Sequence, residues 1–154
     1  MGWNIYRDII LRPKVKVNLF VGQIRELGEG DDPKSPLKIC FTATNLGPGV
    51  VVLNGLRGKT KRFLRKTKHF ILFNDPDDPL SHQFPKEVNV VATAQFFISF
   101  KKRTFLKNKF THIGILDSFG RLHRVPKKDV KRARIEYEKE FGSNKEGAAT
   151  SSFE

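Results

Sequence analysis

The sequence predicts an all-β protein, an antiparallel sandwich of short strands, on three observations. The first is the stretch from Leu37 to Leu56. Leu37, Ile39, Phe41 and Ala43 fall on one side of an extended chain and Lys38, Thr42 and Thr44 on the other, the period of a strand with one buried face. Asn45-Leu46-Gly47-Pro48-Gly49 then breaks the run with turn formers, and Val50 to Leu53 restart it. The second is a hairpin of the same kind near the end: Thr111 to Leu116, a turn at Asp117-Ser118-Phe119-Gly120, then Arg121 to Val125. The third is the aromatic content, 14 Phe against 1 Trp and 2 Tyr. Phe has no polar tip, so such an excess suits a dry layer between two sheets.

Residues 1–13 form an apolar-rich N-terminal lead that Pro13 closes. Strand one is Lys14 to Val21, with Val15, Val17, Leu19 and Val21 inward. Gly28 to Pro36 is a breaker-rich loop. Strands two and three are 37–45 and 50–56, and the basic stretch 57–68 is a loop or edge hairpin. His69 to Phe73 is a short strand, and Asn74 to Pro79 a loop, since acids and prolines cannot pair inside a sheet. A long extended run is expected from Val88 to Phe100, with Phe96, Ile98 and Phe100 on one face. Lys101 to Asn108 is a basic connector with a helical turn. In the last hairpin Gly120 supplies the positive φ such turns use. After Pro126, Val130, Arg134, Tyr137 and Phe141 recur at helical spacing, and Gly142 stops the helix. The tail 143–154 is small and polar, hence expected to be disordered. The domain plan is a lead (1–13), a β-sandwich (14–126), a C-terminal helix (127–142) and the tail.

Seven or eight short strands with regular turn signals fit two packed sheets with immunoglobulin-like connections, a small barrel being the alternative. Three local patterns support this. They are Trp3-Asn4-Ile5-Tyr6-Arg7-Asp8 leading to Arg12-Pro13-Lys14-Val15-Lys16-Val17, then Ala43-Thr44-Asn45-Leu46-Gly47-Pro48-Gly49 with its valines, and Asp117-Ser118-Phe119-Gly120-Arg121 ahead of Pro126-Lys127-Lys128. On these the chain resembles a loose group of uncharacterised bacterial proteins with one immunoglobulin-like β-sandwich behind a Trp-x-x-Tyr-Arg-Asp lead. Phe84-Pro85-Lys86-Glu87-Val88 matches the start of a fourth pattern, but Val90-Val91-Ala92 replaces its Pro-Gly-Glu turn. The resemblance implies a fold and no activity. Some of those proteins look as if a transmembrane helix precedes the lead.

The net charge of +13 is the other strong feature, and it is clustered. Arg57 to Lys68 holds seven basic residues and no acid, Lys101 to Lys109 five and no acid, and Arg121 to Arg134 seven with Asp129 alone against them. Such patches attract anionic partners, although lysines also protect sheet edges. The candidate interaction surface is therefore Arg57, Lys59, Lys61, Arg62, Arg65, Lys66, Lys68, Lys101, Lys102 and Arg103. The expected partner is another protein, with nucleic acid or an anionic membrane surface as the alternative. No small-molecule substrate is expected. No apolar run reaches the about 20 residues of a membrane span, and Met1-Gly2-Trp3-Asn4 does not begin a signal peptide. The expected location is cytoplasmic, or peripheral to the inner face of the membrane.

Nothing points to catalysis, a cofactor or a metal. Cys40 has no partner for a disulfide and is expected as a small residue on a partly covered face. His69, His82, His112 and His123 show no zinc spacing, though His112 and His123 could face each other across the last hairpin. Asp117, Ser118 and His112 match a hydrolase trio by composition alone, since Asp and Ser opening a turn bond its own N–H groups. Asp75, Asp77 and Asp78 read as a solvated acidic loop rather than a calcium site. Gly47-Pro48-Gly49 is too short to cradle a phosphate. These readings make the chain a non-enzymatic binding module.

Overall fold

The computed structural model describes residues 14–23, 36–60, 67–72 and 78–142. Among these residues, eight strands form two antiparallel sheets, followed by a helix. The strands are β1 (Val15–Gln23), β2 (Leu37–Asn45), β3 (Val51–Thr60), β4 (Lys68–Leu72), β5 (Lys86–Val88), β6 (Thr93–Ser99), β7 (His112–Asp117) and β8 (Leu122–Arg124). Helix α1 is Lys127–Phe141. One sheet has the order β1-β2-β6. The other has the order β4-β3-β7-β8, with β5 also paired to β3.

The inward faces are those the alternation predicts. Ile39, Phe41 and Ala43 are fully buried, and Leu37, at the end of its strand, is half-buried. They meet Val17 and Leu19 of β1, Ala94 and Phe96 of β6, and Leu53, Leu56, Ile113 and Ile115 of the other sheet. Phe105 and Phe110, from the β6–β7 connection, close one end of this core, with Phe105 tilted against Phe41 at 5.9 Å between ring centroids. Gly58 makes room for Phe110, because a Cβ there would stand 3.0 Å from its ring. Helix α1 covers the free edge of β1. Its Val130 and Ala133 join the core, and the buried Asp129 accepts a hydrogen bond from Leu19 N at 3.4 Å, a placement the helix N-terminus also favours.

Several expectations need correction. Strand three does not stop at Leu56. β3 runs on through Arg57 and Lys59 as a central strand, because β4 and β7 pair with it on either side. The long run 88–100 is broken in two. β5 belongs to one sheet and β6 to the other, and the tight turn Asn89–Ala92 between them has Val91 at a φ of 64° and a bond from Ala92 N to Asn89 O. The apolar valines hide this crossing, since each half by itself still alternates. Cys40 is fully rather than partly covered, only 1% exposed. Asp78 is not solvated. It is buried, ion-paired to Lys38, and its Oδ1 accepts from Leu80 N at 3.0 Å. Gly142 closes α1 in a right-handed conformation, its N–H bonded to Glu138 O at 2.7 Å. The lead 1–13, most of the loop 28–36, residues Asn74 to Asp77 and the tail 143–154 lie outside the described residues.

Candidate interaction surface

The pairing registers place Arg57 and Lys59, the 101–109 connection, Arg124 and the start of the C-terminal helix toward one end of the sandwich. There β3 ends, β6 ends, β7 begins and β8 hands over to α1, while Arg121 lies in the turn at the other end. Arg57 and Lys59 stand on the face of β3 turned away from the core. Beside them in register are Ile71 and His69 of β4 and Gly114 and His112 of β7, with Arg124 of β8 one strand further. Lys101, Lys102 and Arg103 are exposed in the β6–β7 connection, ahead of a single 3-10 turn, Phe105–Lys107, capped by Thr104. Of the other predicted residues, Lys61, Arg62, Arg65 and Lys66 lie outside the described residues, and Lys68 opens β4 opposite Thr60.

Hydrogen bonds to carbonyl groups hold these segments together against their mutual repulsion. Thr111 donates to Lys59 O through both its backbone N and its hydroxyl, each at 2.9 Å. Arg134 Nη2 donates to Phe110 O at 3.0 Å and to Asn108 O at 3.3 Å. Tyr137 Oη donates to Lys102 O at 2.6 Å. The aromatic side chains of Phe100, Tyr137 and Phe141 pack beneath. Lys38–Asp78 and Lys139–Glu136 form ion pairs, and His123 Nε2 lies 2.9 Å from Asp117 Oδ2. None of these contacts involves Arg57, Lys59 or Lys101 to Arg103, although the exposed Glu136, Glu138 and Glu140 flank Tyr137 on the helix that reaches Lys102.

Two clefts flank the β6–β7 connection. One, of about 380 Å³, opens at the seam between β4 and β6, the outer strands of their sheets. It is lined by Leu72, Ile98 and Phe105, with the exposed Ile71, Lys101 and Arg103 at its rim. The other, of about 230 Å³, lies between α1 and the start of β7. It is floored by Phe110, Ile113, Val125 and Val130 and rimmed by Lys127, Lys131 and Arg134. Sequence reasoning left these three out of the candidate set, although their i, i+4, i+7 spacing puts them on one helix face.

The polar groups weighed for catalysis do not come together. His112 opens β7 and Asp117 closes it, about 16 Å of strand apart. His112 does not face His123 either, because the register sets His123 against Ile115. The fully buried Asp117 instead serves its own turn. Its Oδ1 accepts from Phe119 N and Arg121 N, both at 2.9 Å, and its Oδ2 lies 2.9 Å from His123 Nε2. Burial pushes the Cys40 thiol up to about 12, with the nearby Asp78 charge adding to the effect, the opposite of an activated thiol. Among the described residues no group of three or more His, Cys, Asp or Glu side chains is placed to hold a metal ion. No helix there is long and apolar enough to cross a membrane. No protein-family model, curated protein or solved structure matches the chain.

Proposed function

We propose that this chain is a non-enzymatic interaction module, an immunoglobulin-like sandwich that binds another protein through its basic end. The strand order supports the immunoglobulin-like reading. An edge-to-edge order of first, second and sixth strands against fourth, third, seventh and eighth follows the Greek-key sequence of such sandwiches. The observation that carries the functional reading is the cleft between β4 and β6, where Lys101 and Arg103, in no ion pair among the described residues, border Ile71, Leu72, Ile98 and Phe105. An apolar floor under a cationic rim suits an acidic segment of a protein that also offers apolar side chains. A phosphate backbone would use the rim alone. Use of Asp117 within its own turn supports the non-enzymatic reading.

Titration of three labelled ligands tests this: an acidic peptide with interspersed leucines, single-stranded DNA and duplex RNA. The peptide should bind, weaken with salt, and lose affinity to Lys101→Glu with Arg103→Glu. Tighter binding of either nucleic acid, with the steep salt dependence of counterion release, would favour the nucleic-acid reading instead. Negligible affinity for all three at low salt would remove both.

A further inference from the structure

The opposite end of the sandwich carries different chemistry. Five of the nine exposed large apolar residues among those described gather there: Leu46, Val50, Val90, Val91 and Phe119. Leu46 and Val50 flank the β2–β3 turn, Val90 and Val91 lie in the β5–β6 turn, and Phe119 crests the β7–β8 turn. The turns are tied to the strand ends beside them, through bonds from Val91 N to Asn45 O at 2.8 Å and from Ser118 N to Val52 O at 2.9 Å. Val91 and Phe119 are 75% and 74% exposed, so they project beyond their neighbours rather than line a groove.

Two buried polar side chains brace this tip. Asn45 Nδ2 donates to Gly49 O and Val88 O, and its Oδ1 accepts from Gly47 N. Asp117 holds Phe119 N and Arg121 N. Leu46 N is bonded to Lys14 O, Ala92 N to Asn89 O and Gly120 N to Asp117 O. Most surface turns depend on water for such groups, whereas these N–H donors are satisfied within the protein. Val91 is held at a φ of 64°, which is strained for a β-branched residue. The fold therefore maintains a rigid apolar crest at a cost.

We propose that this tip docks on an anionic lipid bilayer, with Val91 and Phe119 reaching the boundary between headgroups and acyl chains. A convex crest needs a soft apolar medium more than a complementary pocket. Its internally bonded N–H groups can leave water without being stranded. The charges around it are of the right sign. Lys14 adjoins Leu46, and Arg121 lies 5.7 Å from the Phe119 ring centroid, while Asp117 is buried and turned inward. Glu87 stands further down the side of the tip, next to Lys86. Apolar insertion and cationic attraction together are what hold peripheral proteins on anionic membranes. A molecule docked in this way presents its basic clefts to the aqueous side.

Co-sedimentation of the full chain with phosphatidylglycerol–phosphatidylcholine vesicles, at physiological salt, tests the proposal. Binding is expected, and pure phosphatidylcholine should bind less. Val91→Asn with Phe119→Ser should lower affinity about tenfold or more, as the loss of two apolar anchors requires, without lowering thermal stability. Lys101→Glu with Arg103→Glu, at the far end, should leave insertion in place. In a Phe119→Trp variant, emission should shift to the blue on vesicle addition and be quenched by brominated acyl chains, relative to the parent with Trp3 alone. Absence of vesicle binding, or tip variants that bind like the parent, would overturn the proposal. So would an introduced indole that stays in water, or a concentration-dependent dimer broken by the tip substitutions in place of vesicle binding.

Discussion

At both ends of the sandwich, connections between strands are held in fixed conformations, but by bonds of different reach. At the apolar tip the side-chain braces are mostly local, although Asn45 also reaches Val88 O and backbone bonds tie the turns to distant segments. Asn45 and Asp117 bond N–H groups or carbonyls two and four residues on along the chain. At the basic end the clamps join residues 24 to 52 apart in sequence, from Arg134 to Phe110, from Tyr137 to Lys102 and from Thr111 to Lys59. The difference follows from charge. Short turns of apolar and small residues can close on themselves, whereas like-charged segments come together only when a buried core and distant donors hold them.

The comparison can be broken at several points, beginning with the core that both ends share. Phe41→Ala should destabilise the protein by about 3–5 kcal/mol, the range for a buried Phe, in urea-induced unfolding. Both ends should lose binding together near the new midpoint. A near-neutral result would mean that the sheets do not pack on Phe41.

Next in size is the brace of the tip. Asn45→Ala leaves buried backbone groups without their partner and should cost about 2–4 kcal/mol. Tyr137→Phe, which removes one exposed hydrogen bond at the basic end, should cost about 0.5–1 kcal/mol. Equal losses in thermal denaturation would erase the distinction between a buried local brace and an exposed long-range clamp.

Relief of strain gives a change of opposite sign. Val91→Asn should stabilise the fold by about 1 kcal/mol, since Asn tolerates the left-handed region and the side chain replaced is mostly in solvent. A loss of stability there would mean that Val91 packs rather than projects.

The cations at the cleft rim should matter less to folding than to binding. Lys101→Glu with Arg103→Glu should shift stability by less than about 0.5 kcal/mol, upward at low salt because repulsion falls. A large loss in a melting curve would show these residues to be structural.

The smallest signal is expected at Cys40, midway between the ends. With its thiol raised to about 12 by burial, it should stay unlabelled by a thiol reagent at pH 8 until the protein is unfolded. The folded state keeps this proton when the unfolded chain has lost it. The thiol's contribution to stability is therefore complete below the ordinary value of 9.0 and declines as pH rises from there toward about 12. Rapid labelling of the native protein would show that the cover over β2 opens.

The sequence by itself determined the elements whose signals are local. The alternation of Leu37 to Ala43, the positive-φ glycine of the last hairpin, the Asp that bonds its own turn, and the helix from Lys127 to Phe141 are all legible there. In each case the partners lie within a few residues or repeat with a fixed period. Tertiary structure alone decided where β5 ends and β6 begins, because a chain that changes sheets through a turn of valines leaves its apolar pattern unbroken. It also decided that Arg57 and Lys59 sit on a central strand, that Cys40 and Asp78 are covered, and that parts of the three basic stretches gather toward one end. None of these could be read from neighbours in sequence, since the groups that enforce them arrive from tens of residues away. The apolar tip was hidden for the same reason. Leu46 and Phe119 read as turn residues and Val91 as part of an extended run, and only the packing of two sheets gathers them at one tip and leaves them outside.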